Sequence, residues 1–401
     1  MNVVISALAD KAAWAQTVEV VERKGLGHPD TLCDALAEEV GLALSRFYRD
    51  RFGFVLHYNV DKVLLRAGTA RAAFDGGTVD EPMDLYVAGR ATNEYRGVKV
   101  PVEDLTVGAC RSWLAAHMHA LDASRHARVH CLLRPGSADL VGLFARQCHG
   151  APHLANDTSM GAGFAPATPL ELAVLEAERC LRSFEAPECG EDIKVMGVRT
   201  GERVSFTVAC AFVDKYLRTL DAYLSARDRA ALQVRSATAE ILGAEPAVTV
   251  NAADDPSAGS LYLTVTGTSA EAGDDGQTGR GNRLNGLITP SRPMVIESFA
   301  GKNPVSHVGK LYNVAAQRVA GALISGLADI EEAHVLLVAR IGAPVNQPEV
   351  VHVGLRGKNV DSDVRLAAWA REITKSHVDR IGSLSELLLA SNLVTDRLPV
   401  L

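Results

Sequence analysis

Three stretches of this chain carry the residue types that phosphate chemistry uses. In "KGLGHPD", Lys24 to Asp30, a histidine and an aspartate flank a proline, after two glycines and before a long amphipathic run. If Pro29 opens a helix, its free N–H groups and positive dipole end lie where His28 and Asp30 project, and such an end attracts anions. An imidazole there can hydrogen-bond or protonate a leaving oxygen, and a carboxylate can hold a magnesium ion that bridges phosphates. The plainer alternative is that Asp30 counters the dipole and His28 is a loop residue.

The second stretch, "GTSAEAGDDGQTGRGNRLNG", sets Gly267, Gly273, Gly276, Gly279, Gly281 and Gly286 among Asp274, Asp275, Arg280 and Arg283. Glycines let backbone N–H groups approach phosphates, while adjacent carboxylates and guanidinium groups suit a metal and a polyphosphate. The spacing matches neither the dinucleotide fingerprint nor the P-loop. The third, "GKNPVSHVGK", puts Lys302 after a glycine and Lys310 close behind, before another helix start. Lysines near a helix start are disfavoured by the dipole, so this placement hints at an anion, although a solvated lysine is the ordinary case. Weaker candidates are Lys194 in "GEDIKVMG", Asp139 in "GSADLVG", and "LANDTSMGAGFAP", a polar loop whose Gly–Phe segment either flanks a planar base or simply turns at the surface.

Elements that would hold these residues are legible from periodicity. After Pro29, Leu32, Leu36, Val40, Ala43 and Phe47 recur at helical spacing and Gly53 closes the run. Helices are also expected at "VEDLTVGACRSWLAAHMHAL", "PLELAVLEAERCLRSF", "SARDRAALQVRSATAEIL", "VSHVGKLYNVAAQRVAGALISG" and "DSDVRLAAWAREITKSH". Strands are expected at "GFVLHYNVDKVLLRAG", "MDLYVAGRAT", "ARVHCLLR", "DLVGLFARQ", "DIKVMGVRTGERVSFTVACAFVD", "AVTVNAA" and "SLYLTVTGTS". This irregular mixture argues for an α+β fold with helices on one face of mostly antiparallel sheets. No repeat at residue level and no low-complexity linker divides the 401 residues.

Composition narrows the partners. With 41 basic against 48 acidic side chains the formal charge is −7, so no global field favours nucleic acid or an anionic membrane. Apolar runs are shorter than a membrane span needs, and the N-terminus lacks a signal pattern, so a cytoplasmic protein is expected. Seven cysteines without a CxxC pair read as reduced, mostly buried thiols.

Taken in order, "ERKGLGHPD", "HYNVDKV", "GSADLVG", "LANDTSMGAGFAP", "GEDIKVMG", "TGTSAEAGDDGQTGRGNRLNGLITP" and "GKNPVSHVGKLYN" resemble the archaeal-type S-adenosylmethionine synthetases, from about Val18 to the C-terminal helix. The resemblance implies one compact catalytic chain, residues 1–401, of three interlaced α+β units with pseudo-threefold symmetry. It further implies a homodimer, or a dimer of dimers, with active sites at the subunit interface. Methionine sulfur would attack the ribose 5′ carbon of ATP, and the expelled tripolyphosphate would be hydrolysed to phosphate and diphosphate. By matching motifs, His28 would face the bridging oxygen, Asp30 and Asp274 would bind magnesium, two ions per site, and Lys194, Arg280 and Lys302 would grip phosphate oxygens. Glu22 would contact the nucleoside, Asp139 the methionine ammonium or the nucleoside, and Gly273, Gly276 and Gly279 the phosphates. Potassium is expected, with Asp61 as a weak candidate ligand. The distant bacterial branch has a second cation where Gly281 stands, and a lysine and an aspartate at Ser306 and Val308; Arg283, Lys310 and His307 are the candidate substitutes. The alternatives are a relative acting on a methionine analogue and a non-catalytic nucleotide-binding regulatory subunit.

Overall fold

The computed structural model describes residues 2–136, 153–183 and 186–391. Among them are seven helices: α1 (Pro29–Phe52), α2 (Val102–His117), α3 (Pro169–Arg182), α4 (Leu220–Leu242), α5 (Val308–Gly326), α6 (Val364–Asp379) and α7 (Leu384–Ala390). The strand expected at "DLVGLFARQ", and with it Asp139, lies outside the described residues.

The strands form an α+β arrangement of three main sheets that follow one plan. The first runs Val3–Ala7, Val350–Gly357, Ile330–Val338, Met160–Ala165; the second Ala247–Val250, Arg203–Val213, Cys189–Thr200, Val18–Lys24; the third Ala127–Arg134, Met83–Ala91, Tyr58–Arg66, Gly276–Gln277. In each, the opening pair is parallel and the remaining pairs are antiparallel. A pair of helices packs on each sheet: α5 and α6 on the first, α3 and α4 on the second, α1 and α2 on the third. The first sheet takes strands from near the start, the middle and the end of the described chain. What repeats is the packing plan, which is why no repeat is visible residue by residue.

α1 forms where the spacing predicts. Pro29 sits in its first turn, Asp30 faces the positive end of the dipole, and Gly53 closes it at φ 85 with its N–H on the Arg49 carbonyl. Burial goes beyond one stripe: Cys33, Ala35, Leu36, Ala37, Val40 and Leu44 are all inaccessible. α1 is therefore a central helix, covered by its sheet, by α2 and by loop segments.

Two expectations are corrected. Part of "LANDTSMGAGFAP", read as a polar loop, is the edge strand Met160–Ala165. Its glycines serve helix packing: a Cβ on Gly161 would lie 2.2 Å from the Tyr312 carbonyl carbon, and one on Gly163 2.3 Å from the Gln317 nitrogen. The free edge of that strand is satisfied by α5, whose Asn313 and Gln317 side chains accept from the Ala162 and Phe164 N–H groups. In "SLYLTVTGTS" only Leu263–Thr264 is strand. The rest is drawn into the loop because the Glu271 carboxylate takes the N–H groups of Val265 and Thr266 and the Thr266 hydroxyl.

Candidate active site

The site is assembled around the start of α1. Strand Val18–Lys24 delivers the chain into the turn at Gly25 to His28, which runs along strand Cys189–Thr200. Gly25 and Gly27 donate to the carbonyls of Ile193 and Glu191, each at 2.8 Å. A Cβ on Gly25 would stand 2.4 Å from the Ile193 oxygen, and one on Gly27 2.6 Å from the Asp192 nitrogen, so only glycine fits. His28 is the N-cap, its Nδ1 accepting the Asp30 N–H at 3.2 Å. The ring proton therefore sits on Nε2. Burial lowers the His28 pKa to about 4, opposed by Asp30 and assisted by Lys24 and Lys194, so the ring is neutral at neutral pH.

Two lysines meet here. Lys194 and Lys24 are direct cross-strand partners, and like charges in that position repel. Glu22 lies 3.1 Å from the Lys194 ammonium, and Asp30 Oδ2 accepts from Lys24 at 2.8 Å. Lys24 also donates to the Arg280 carbonyl at 2.8 Å, tying the glycine-rich loop to the helix start. Asp274 and Arg280 are exposed on that loop, and Gly276 packs against the Pro29 carbonyl, where a Cβ would stand 2.2 Å from its oxygen. Gly273 donates to the Ser269 carbonyl at 2.7 Å, in the turn leading to Asp274.

Three acidic side chains on α1, one turn apart, hold the loops in place. Asp30 accepts the N–H of Gln277 at 2.9 Å, Asp34 that of Gly279 at 2.8 Å, and Glu38 that of Gly301 at 2.9 Å. Asp34 is buried, and burial lifts its pKa to about 7 against the opposing pull of the Gly279 N–H and Arg283. Arg283 is committed to the loop itself, donating to the carbonyls of Gly279, Gly281, Val295 and Ile296.

Lys302 belongs to a second group, near Glu38 and thus roughly 12 Å along α1 from Asp30. It is buried and ion-paired with Asp61 at 3.3 Å and with Glu297. Lys310 is buried too, donating to both Glu38 oxygens at 2.7 Å. His307 caps α5 as His28 caps α1, its Nδ1 accepting the Gly309 N–H at 3.2 Å, and burial holds its pKa well below the imidazole range.

The structure thus brings His28, Asp30, Glu22, Lys194 and the Gly276–Arg280 segment together. It sets Lys302 in the second group and gives Lys310 and Arg283, two candidate substitutes for missing cations, protein partners instead. At position 281 a Cβ would lie 2.4 Å from Asp34 Oδ2, so a residue larger than glycine would require that carboxylate to move. Asp61, the weak candidate for potassium, already faces Lys62 at 2.5 Å and Lys302. Phe164 carries the Arg292 guanidinium 4.5 Å over its ring, so that face is taken. The sequence reading missed Lys24, Asp34, Glu38 and Glu297. The signal for two of them was present: Asp30, Asp34 and Glu38 fall at intervals of four on a helix that is otherwise mostly apolar on that side.

Among the described residues no three His, Cys, Asp or Glu side chains converge as a metal cage. Asp30 at the α1 start, whose oxygens also accept from the Gln277 N–H and Lys24, and Asp274, exposed on the glycine-rich loop, are hard oxygen donors. That suits magnesium, which commonly takes one or two carboxylates and completes its shell with substrate phosphates and water.

Comparison with known proteins gives the same direction throughout. The family model described as S-adenosylmethionine synthetase (AdoMet synthetase) matches residues 1–392. A probable S-adenosylmethionine synthase of Aquifex aeolicus is 49% identical over 362 residues, 89% of this chain and 90% of that one. The S-adenosylmethionine synthase of Pyrobaculum calidifontis is 46% identical over 382 residues, 93% and 94% of the two chains. That of Methanothrix thermoacetophila is 41% identical over 399 residues, 98% and 99%.

Proposed function

The chain belongs to the S-adenosylmethionine synthetase family, and from that premise we propose that it joins ATP and L-methionine to give S-adenosylmethionine, releasing phosphate and diphosphate with one water consumed. A thioether is a neutral, soft nucleophile that needs no general base. Catalysis therefore rests on aligning sulfur, 5′ carbon and leaving oxygen and on stabilising the charge that develops on that oxygen.

The observation that carries this reading is the pair of opposed lysines beside a histidine-capped helix start. A chain with net charge −7 places Lys24 and Lys194 directly across from each other beside His28, each balanced by a single carboxylate, Asp30 and Glu22, so that two cations stand ready where a polyanion would bind. His28, neutral with its proton on Nε2, donates to the bridging oxygen as negative charge grows there. Lys194 and Arg280 hold phosphate oxygens, and Glu22 meets the nucleoside. Lys302, buried and paired with Asp61 and Glu297 within this chain, is proposed as a further phosphate ligand, and the active site is proposed to lie at the interface of a homodimer or a dimer of dimers.

Asp30 and Asp274 would hold magnesium, two ions per site, which when bound supplies positive charge to the phosphates. Potassium is proposed as the second cation type, and Asp139 as a contact to methionine or nucleoside. The test is incubation with ATP, L-methionine, magnesium and potassium, following products by chromatography and mass spectrometry. Equal yields of S-adenosylmethionine, phosphate and diphosphate support the reading; ATP bound with no product overturns it.

A further inference from the structure

We infer that Asp34 and Arg283 are positioning residues, a two-sided clamp that presents Arg280 to the polyphosphate. This rests on the functional reading above for its catalytic consequence, but the clamp itself stands on geometry. Gly279, Arg280 and Gly281 form a short arch. On one side, Asp34 Oδ1 accepts the Gly279 N–H at 2.8 Å, and its Oδ2 lies 2.4 Å from where a Cβ on Gly281 would stand. On the other, Arg283 Nη2 donates to the carbonyls of Gly279 at 2.6 Å and Gly281 at 2.8 Å. The backbone groups flanking Arg280 are therefore held from both faces, and Gly279 has φ 89, which favours glycine.

Neither residue is free to serve a substrate. Asp34 is buried in the body of α1, and the Nη1 of Arg283 is occupied by the Val295 and Ile296 carbonyls. Arg280, by contrast, is exposed, and its own carbonyl is held by Lys24. A rigid base under a long, flexible side chain reduces the entropy lost when that side chain grips a phosphate.

The decisive experiment is a double-mutant cycle on the full chain, using S-adenosylmethionine formation and hydrolysis of added tripolyphosphate. Asp34→Ala is expected to lower kcat for both by about tenfold or more, with KM for methionine little changed. Asp34→Asn keeps an oxygen acceptor for Gly279 and should stay within about threefold of wild type. In the Arg280→Ala background, Asp34→Ala should cost almost nothing further, because the group it positions is gone. Losses that multiply, or an Asp34→Asn as impaired as Asp34→Ala, would overturn the clamp.

If Asp34→Ala does not fold, Arg283→Lys tests the other side, with the same expected non-additivity toward Arg280→Ala. Amide hydrogen exchange separates this inference from the functional one. Exchange across residues 276–283 should quicken in Asp34→Ala while the sheets stay protected, whether or not the wild-type protein makes S-adenosylmethionine. Unchanged exchange there would sink the clamp alone.

Discussion

The ammonium of Lys24 donates to Asp30 Oδ2 at 2.8 Å, so the carboxylate assigned to magnesium is met by a lysine from the preceding strand. The same ammonium holds the Arg280 carbonyl. Lys24 thus joins strand, helix start and loop at the place where a polyanion would sit. Lys24→Ala is expected to lower kcat/KM for S-adenosylmethionine formation by about 10–100-fold. Steady-state kinetics at saturating magnesium checks this, and wild-type rates would exclude Lys24 from the site.

His28 caps α1 through Nδ1, and its proposed second task is to donate from Nε2 to the leaving oxygen. His28→Ala should reduce adenosyl transfer by about 10²–10³-fold while ATP binding falls far less, since the contact strengthens with charge on the leaving oxygen. His28→Asn restores a side-chain cap, so it should recover most of the roughly 1 kcal/mol of stability lost but not the rate. Calorimetric ATP binding beside single-turnover kinetics distinguishes the two; equal losses in both would remove the transition-state role.

Arg280→Ala should impair hydrolysis of added tripolyphosphate by about 100-fold. Phosphate release measures it, and intact hydrolysis counts against the assignment.

Lys310 and Glu38 form a buried pair, so Lys310→Met leaves a carboxylate uncompensated in the core. The expected cost is about 3–5 kcal/mol in thermal or denaturant unfolding, largely recovered by adding Glu38→Gln, which keeps an acceptor for the Gly301 N–H. A stable Lys310→Met with weakened ATP binding would return Lys310 to the list of substrate contacts.

Asp34 makes a pH prediction. Its folded pKa of about 7 exceeds the ordinary 3.8, so between those values the folded protein binds more protons and the contribution of Asp34 to stability falls as pH rises. Asp34→Asn does not titrate. Its stability relative to wild type should therefore increase from pH 5 to pH 8, with a slope of up to roughly 1 kcal/mol per pH unit. Unfolding free energies at several pH values read this directly, and parallel curves would contradict it.

Local chemistry wrote much of this protein into its sequence. Pro29, the apolar spacing from Leu32 onward and Gly53 define α1, because helix starts, stripes and stops depend on neighbours within a turn or two. The glycine-rich loop and the two Gly–Lys and Gly–His turns were legible for the same reason, since their conformational demands are local. What each charge does was not. Lys310 and Arg283 have the residue type and spacing of phosphate ligands, yet their partners are Glu38, 272 residues away in the chain, and four carbonyls that only the folded loop brings to one point. Gly161 and Gly163 looked like turn residues and instead admit α5, because the space beside a glycine is decided by whatever packs there. The sequence determined which helices, strands and turns the chain can make and supplied the phosphate-binding residue types. Which cations remain free for a substrate was decided by tertiary structure, because a charge goes to whichever buried partner the fold places within hydrogen-bonding reach.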